Sequence, residues 1–64
     1  MTVQLKVPSM VCSSCVNSVT KALKRLEEDA HVNIDLENKI VSIDGKSSED
    51  AMRNAIRAIG HIVD

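Results

Sequence analysis

The 64-residue chain contains no Phe, Tyr or Trp, and its overall charge is close to zero. Modules that bind single-stranded nucleic acid stack the bases on aromatic side chains, and cages for organic cations are built from the same residues. Eight basic and nine acidic residues give a net charge of -1, which provides no overall attraction to a phosphate backbone. Composition therefore argues against a nucleic-acid partner.

Cysteines and long apolar runs are also scarce. Two cysteines are too few for a small domain built on disulfides. No apolar stretch approaches the ~18–20 residues of a membrane span, and no basic start followed by an apolar run marks a signal peptide. We therefore expect residues 1–64 to form a single domain that does not insert into a membrane and that lies in the reducing cytoplasm. In that compartment a cysteine pair is more often metal-binding or redox-active than structural.

Hydrophobic periodicity divides the chain into short strands and two helices. Period-two alternation predicts four strands, at residues 2–7, 30–36, 39–43 and 61–63. A tight turn at Glu37-Asn38 would join the middle two into a hairpin. Helical spacing predicts two buried stripes, which comprise Val16, Val19, Leu23 and Leu26 in the first helix and Met52, Ala55, Ile56 and Ile59 in the second.

Polar residues and one glycine mark the predicted helix ends. Ser13 or Ser14 is expected to cap the first helix, and Ser47, with Asp50 three residues later, is expected to cap the second. Gly60 stands where a helix commonly ends in a left-handed residue.

The element order βαββαβ indicates an α+β fold, a ferredoxin-like sandwich with a four-stranded antiparallel sheet and both helices on one face. In this topology three segments share one end of the molecule: the loop at residues 8–14, the hairpin tip and the Gly60-His61 junction. His31 begins the second strand and is expected at the opposite end.

Cys12 and Cys15 form a CxxC pair at the predicted boundary between that loop and the first helix. The spacing lets both sulfurs reach one point, and a helix N-terminus favours thiolate over thiol. Structural zinc requires four protein ligands, whereas Cu(I) accepts two or three soft ones, and a site with so few ligands stays open to an incoming thiolate. A dithiol redox pair, a reduced pair without a role and a zinc site shared with a partner remain open as alternatives.

His61 is the third candidate metal ligand because it arrives at the same end of the fold as the cysteines. We expect it to be a third ligand or a residue that tunes the site, while Met10 is expected to pack into the core beneath the loop. Two open sites could supply ligands to each other, so the chain is expected to be a monomer without copper and able to form a copper-bridged homodimer when loaded.

No constellation typical of an enzyme is present, and we expect none of the residues to be catalytic. The acidic pairs Glu27-Glu28 and Glu49-Asp50 are typical of solvated helix ends. Charge is uneven: the first 26 residues carry four bases and no acid, and the remaining 38 carry four bases and nine acids. The basic face of the first helix would steer an acidic partner, although an ordinary solvated surface has the same composition.

The run from Met10 to Cys15, early in a βαββαβ chain, resembles the MxCxxC loop of the heavy-metal-associated (HMA) domain family, and the resemblance covers essentially the whole chain. The Gly60-His61 ending looks most like the cyanobacterial copper metallochaperones of the Atx type. One departure is Ser9-Met10-Val11, since many family members have Gly-Met-Thr there.

The resemblance implies a cytosolic Cu(I) metallochaperone that passes copper by ligand exchange to the metal-binding domains of copper-transporting P-type ATPases. By matched position, Cys12 and Cys15 would be the thiolate ligands and His61 a third ligand or exchange partner. The alternatives are a copper-buffering or thiol redox protein, or a carrier of another soft metal such as zinc.

Overall fold

The computed structural model describes residues 2–64, which form three strands and two helices. In chain order they are β1 (Thr2–Lys6), α1 (Ser13–Leu26), β2 (His31–Asp35), β3 (Ile40–Asp44) and α2 (Glu49–Ala58). The strands form one antiparallel sheet in the order β1-β3-β2. The predicted α+β class and the order of these five elements are confirmed, with strand ends that differ by one residue.

The central strand β3 connects the sheet to the core. Its inward residues Val41 and Ile43 are 0% and 1% exposed. The residues opposite them on the neighbouring strands are Val3, Leu5, Val32 and Ile34. Alternation places these aliphatic side chains on one face of the sheet. Buried residues of both helices belong to the same apolar cluster, so the helices cover that face.

The core extends beneath the loop that follows β1. Val7 and Met10 are both 0% exposed and belong to the same cluster as the helix residues Leu23 and Ile56. The prediction that Met10 lies in the core is therefore confirmed. Burying a side chain of this size contributes about 1.5–3 kcal/mol, and an unbranched thioether adapts to an irregular space.

The predicted last strand at residues 61–63 is not a strand in the structure, and the sheet has three strands rather than four among residues 2–64. The segment does approach β1, because the Asp64 N–H donates to the Lys6 carbonyl at 2.9 Å. A ladder does not form because the Ile62 N–H donates to the hydroxyl of Ser9 instead, at 3.0 Å. A side chain thus takes the place of a strand partner.

The hairpin tip also differs from its prediction. Residues 36–39 form the turn, rather than Glu37-Asn38 alone. Lys39 lies in the left-handed region with φ 59°, which is uncommon for a residue other than glycine. Asp35 accepts hydrogen bonds from the Asn38 side chain at 2.8 Å and its backbone N–H at 3.1 Å. These bonds hold the pKa of Asp35 below its usual range, with the side-chain bond the larger cause.

The cap of α2 is Ser48, not the predicted Ser47. Ser48 Oγ accepts the Ala51 N–H at 3.1 Å, which satisfies one of the free donors of the first turn. Asp50 forms no capping box and instead pairs with Arg53 at 3.1 Å. The stripes are also narrower than predicted, since Leu26 and Ile59 remain 40% and 39% exposed at the edge of the helix pair.

Ser47 is unavailable as a cap because it binds Glu27 at the C-terminal end of α1. The Glu27 carboxylate accepts the Lys46 N–H at 2.8 and 2.9 Å, the Ser47 N–H at 2.7 Å and the Ser47 hydroxyl at 2.8 Å. A Cβ at Gly45 would collide with that carboxylate, so the close approach requires glycine. The prediction that Glu27 is only a solvated helix-end charge is therefore wrong. These bonds, led by the one from Lys46, lower the pKa of Glu27.

Because its pKa is lower in the folded chain than in the unfolded one, ionised Glu27 stabilises the fold. This contribution is fully present above the unfolded value of about 4.3 and is lost as the pH falls through the lower folded value. Glu27→Gln is expected to lower the urea midpoint at neutral pH, with a difference from the parent chain that shrinks as the pH falls below about 4. Glu28→Gln, at the adjacent exposed position, is the matched control. A midpoint difference that stays constant down to about pH 2 would contradict this assignment.

Candidate metal centre

The structure brings the two cysteine sulfurs together at the end of the molecule formed by the loop after β1. Cys12 Sγ and Cys15 Sγ lie 3.3 Å apart, and both thiols are free. Cys12 is exposed and Cys15 is half-buried. A reagent or partner that approaches the loop therefore meets Cys12 first.

The N-terminus of α1 positions the pair. Cys12 itself is the N-cap residue, with an extended backbone at φ -151° and ψ 170°, so the prediction of Ser13 or Ser14 at that position is wrong. The Cys12 carbonyl accepts the Val16 N–H at 3.2 Å, and Cys15 stands within the first turn. No acidic residue in that turn offsets the positive end of the helix dipole.

Local hydrogen bonds favour the thiolate form of Cys12. The Ser14 hydroxyl lies 3.0 Å from Cys12 Sγ and is the largest cause of a pKa lowered from its ordinary 9.0 to about 7. The backbone N–H and the thiol of Cys15 lower this pKa further. At neutral pH a substantial fraction of Cys12 is therefore a thiolate, which is the form that binds metals.

The hairpin tip supports the loop from below. The Val7 N–H donates to the Lys39 carbonyl at 2.8 Å, and the Lys39 ammonium donates to the Met10 carbonyl at 3.0 Å. The predicted meeting of the hairpin tip with the loop is confirmed by these contacts. Val11, between the buried Met10 and Cys12, is 68% exposed, so a single residue separates the apolar anchor from the accessible thiol.

His61 is placed by the way that α2 ends. Gly60 has φ 92°, and its N–H donates to the Arg57 carbonyl at 2.9 Å. The His61 N–H reaches back to the Ile56 carbonyl at 3.4 Å. This bond pair is the Schellman motif, and it confirms Gly60 as the left-handed residue that ends the helix.

The His61 ring is half-buried and contacts Ser9 of the loop that follows β1. Its Nδ1 lies 2.7 Å from Ser9 Oγ, so the histidine does share the end of the molecule that the topology predicted. Within residues 2–64, however, no three side chains of His, Cys, Asp or Glu converge as a metal site. The role of His61 as a ligand stays a prediction, as do those of Cys12 and Cys15. The other histidine, His31, pairs opposite Asp44 at the far end of the sheet, as expected.

Sequence reasoning did not single out Ser9. It noted this residue as part of the loop and of the departure from the family's Gly-Met-Thr, and gave it no role, because the partners of its hydroxyl lie 52 and 53 positions later in the chain. No spacing rule connects positions so far apart, and only the meeting of the two segments in the folded chain brings them together.

The two sulfurs are arranged as a small, soft, incomplete ligand set. A metal ion bonded to both at about 2.3 Å in tetrahedral geometry would hold them about 3.8 Å apart, and a linear arrangement would hold them farther apart still. From 3.3 Å the pair must therefore open slightly to admit an ion. The exposed position of Cys12 on an extended residue allows this movement without disturbing the helix.

The surface beside His61 is basic. Ser18, Lys21 and Arg25 of α1 line a shallow groove of about 220 Å³ together with Ile59 and His61.

In the described part of the chain, neither helix is long and apolar enough to cross a membrane.

Since the Ser14 hydroxyl is the largest cause of the low Cys12 pKa, Ser14→Ala is expected to raise that pKa from about 7 toward its ordinary 9.0. The rate of iodoacetamide alkylation, followed by mass spectrometry against pH, measures the thiolate fraction. The half-maximal rate should move to higher pH in Ser14→Ala. Ser13→Ala, one residue away on the exposed surface, is the control. Identical alkylation profiles for Ser14→Ala and the parent would rule out this hydrogen bond as the cause.

Comparison with known proteins supports a common origin for this fold and loop. The heavy-metal-associated domain family model matches residues 4–61. The chain is 39% identical over 51 residues to the copper chaperone for superoxide dismutase of Arabidopsis thaliana. It is 40% identical over 63 residues to copper-transporting ATPase 2 of Rhizobium meliloti (strain 1021). These matches cover 80% and 94% of this chain but only 16% and 8% of the two relatives.

Solved structures match along the whole chain. The copper chaperone Atx1 from Synechocystis PCC6803, in a Cu2 form, superposes with a TM-score of 0.93 at 39% identity, over 97% of this chain and 98% of that one. The solution structure of the cyanobacterial copper metallochaperone ScAtx1 gives a TM-score of 0.83 at 41% identity, over all of both chains. The resemblance inferred from the sequence is confirmed: this chain belongs to the heavy-metal-associated domain family.

Proposed function

We propose that this chain is a cytoplasmic copper metallochaperone, which binds Cu(I) through Cys12 and Cys15 and passes it by ligand exchange to copper-transporting P-type ATPases. The observation that carries the proposal is the pair of free sulfurs 3.3 Å apart on an exposed loop. The similarity of the whole chain to copper chaperones supports the choice of metal.

The chemistry of the pair favours a soft monovalent ion. Two thiolates satisfy Cu(I), which accepts two or three such ligands, whereas a closed zinc site requires four. The lowered pKa of Cys12 means that little work is needed to release its proton when the metal arrives. His61 would add a weaker third contact from the segment that borders the loop.

Exposure of the site favours transfer over storage. An incoming cysteine of the partner can reach the metal beside Cys12, the more exposed sulfur, and can replace the two ligands one at a time. Copper then stays bonded to at least one sulfur throughout the exchange. The same openness would let two loaded chains share copper as a homodimer, while the copper-free chain is a monomer.

A metal-binding domain of a copper-transporting ATPase is the proposed acceptor. The ATPase of Rhizobium meliloti contains a segment similar to 94% of this chain, so that donor and acceptor would present similar sites. Similar sites make exchange nearly balanced in free energy, and its direction then depends on the supply of copper. Lys21 and Arg25 beside the site would steer an acidic surface toward it.

Loss of either thiolate should remove most of the copper affinity. Competition with a Cu(I) chelator is expected to show at least about a 100-fold weaker Kd for Cys12→Ser or Cys15→Ser, equivalent to about 2.7 kcal/mol. The control Ser13→Ala leaves both sulfurs in place and should bind like the parent. Stoichiometric Cu(I) binding by the double serine variant would refute the proposed site.

The coordination number and the acceptor require separate measurements. X-ray absorption of the Cu(I)-loaded chain is expected to show two sulfur neighbours and one nitrogen neighbour, with the nitrogen absent in His61→Ala. Mixing the loaded chain with an isolated ATPase metal-binding domain should transfer copper. A failure to transfer at matched affinity would indicate a buffering protein, and turnover of a disulfide substrate would indicate a redox protein.

A further inference from the structure

Ser9 connects the loop that carries the cysteines to the segment that carries His61. Its hydroxyl oxygen lies 2.7 Å from His61 Nδ1 and accepts the Ile62 N–H at 3.0 Å. The residue is half-buried and stands three positions before Cys12. One side chain of the cysteine-bearing loop therefore contacts two successive residues of the C-terminal segment.

We propose that Ser9 is a positioning residue for the metal site: its hydroxyl engages Nδ1 of His61, leaves Nε2 as the ring nitrogen available to a metal, and allows the ring to change its tautomer when the metal binds. This inference rests on the proposed function, since it requires His61 to contact copper. It concerns a residue that touches His61 rather than the metal.

Hydrogen-bond accounting at Ser9 leads to this role. A serine hydroxyl has one hydrogen to donate and two lone pairs to accept. The Ile62 N–H takes one lone pair, which leaves one hydrogen and one lone pair for the ring. At 2.7 Å the oxygen can therefore donate to an unprotonated Nδ1 or accept from a protonated one, with the heavy atoms in the same places.

The two arrangements have opposite consequences for the metal. When Ser9 donates to Nδ1, the ring hydrogen is on Nε2, which cannot then bind a metal ion. When Ser9 accepts from Nδ1–H, the Nε2 lone pair is free for a ligand bond. A carbonyl at this place would support only the second tautomer, because it has no hydrogen to donate. The hydroxyl supports both, so the ring stays anchored before and after loading.

The backbone fixes the direction of this contact. The end of α2 holds the His61 N–H against the Ile56 carbonyl, and the next amide, that of Ile62, points at Ser9. With that amide on one lone pair, rotation about the Cβ–Oγ bond turns either the hydrogen or the second lone pair of the hydroxyl toward the ring. Ser9 thus positions the His61 side chain, in addition to securing the segment that bears it.

The test compares Ser9→Ala, Ser9→Thr and the parent, metal-free and loaded with Cu(I) under anaerobic conditions. Long-range proton–nitrogen NMR spectra at a fixed pH of about 8 report the tautomer of each histidine ring. In the loaded parent, the hydrogen of His61 is expected on Nδ1, bonded to Ser9. In Ser9→Ala this preference should weaken, and Cu(I) affinity should fall about tenfold, as is typical when the partner of a metal-binding histidine is removed. Ser9→Thr keeps the hydroxyl and should restore both.

His31 is the internal control because it lies at the opposite end of the sheet, and its ring signals should be unchanged in every variant. A double-mutant cycle with His61→Ala separates positioning from a general effect on the loop. In the His61→Ala background, Ser9→Ala should lower the affinity no further. An equal loss in both backgrounds would show that Ser9 only stabilises the loop, and would overturn the inference.

The remaining outcomes distinguish this inference from the proposed function. If His61→Ala weakens copper binding but Ser9→Ala changes neither the tautomer nor the affinity, the positioning role is refuted and His61 remains a ligand. If His61→Ala has no effect while the cysteine variants lose copper, both the third ligand and the role of Ser9 are refuted, and a two-thiolate carrier remains. If the cysteine variants keep copper, the proposed function itself fails.

Discussion

The burial of Met10 beneath the loop after β1 is the contact on which the rest of the site depends. Cys12 is exposed and is not held by burial, so the loop that carries it needs an anchor of another kind. The fully buried side chains of Met10 and Val7 supply it, and Cys12 follows only two residues after that anchor. The polar contacts from Lys39 and Ser9 then limit how the anchored loop can move. An apolar core therefore positions a pair of thiols that it does not enclose.

The two ends of the molecule differ in the exposure and hydrogen bonding of their polar groups. At one end, the thiols of Cys12 and Cys15 are free and Cys12 is exposed, with His61 half-buried nearby. At the other, the Glu27 carboxylate is surrounded by donors from the loop that leads into α2. That contact fastens α1 to the sheet side of the fold at its C-terminus, while its N-terminus carries the cysteines.

Periodicity was sufficient to predict the five regular elements because each one buries a continuous apolar face. Val41 and Ile43 alternate in β3, and Val19 and Leu23 repeat at helical spacing in α1, so sequence spacing alone identifies them. The topology also brought the two cysteines and His61 to one end, as the structure confirms. Details that depend on competition between neighbouring polar groups were not accessible in this way. Either Ser47 or Ser48 could have capped α2. Ser48 is the cap because the Ser47 hydroxyl is bonded to Glu27, twenty residues earlier.

The same limit explains the missing fourth strand and the unforeseen role of Ser9. An alternating pattern at residues 61–63 cannot reveal that the Ile62 amide has a serine hydroxyl as its partner. The predicted topology brought the loop and the C-terminal segment to one end of the molecule, but it could not predict which side chain connects them. Spacing and topology pointed to the cysteines and His61, and the family resemblance matched them, but none of these indicated what orients the histidine.

Lys39 combines an unfavourable backbone conformation with a favourable side-chain hydrogen bond. Glycine or asparagine would adopt this left-handed backbone, at φ 59°, more readily, and lysine there has a conformational cost of about 1 kcal/mol. Its ammonium, however, bonds the carbonyl of Met10, which neither of those residues could reach in the same way. With lysine, the hairpin tip keeps a less relaxed turn and gains a contact that holds the loop carrying the cysteines. The tip therefore stabilises that loop without contributing a thiol of its own.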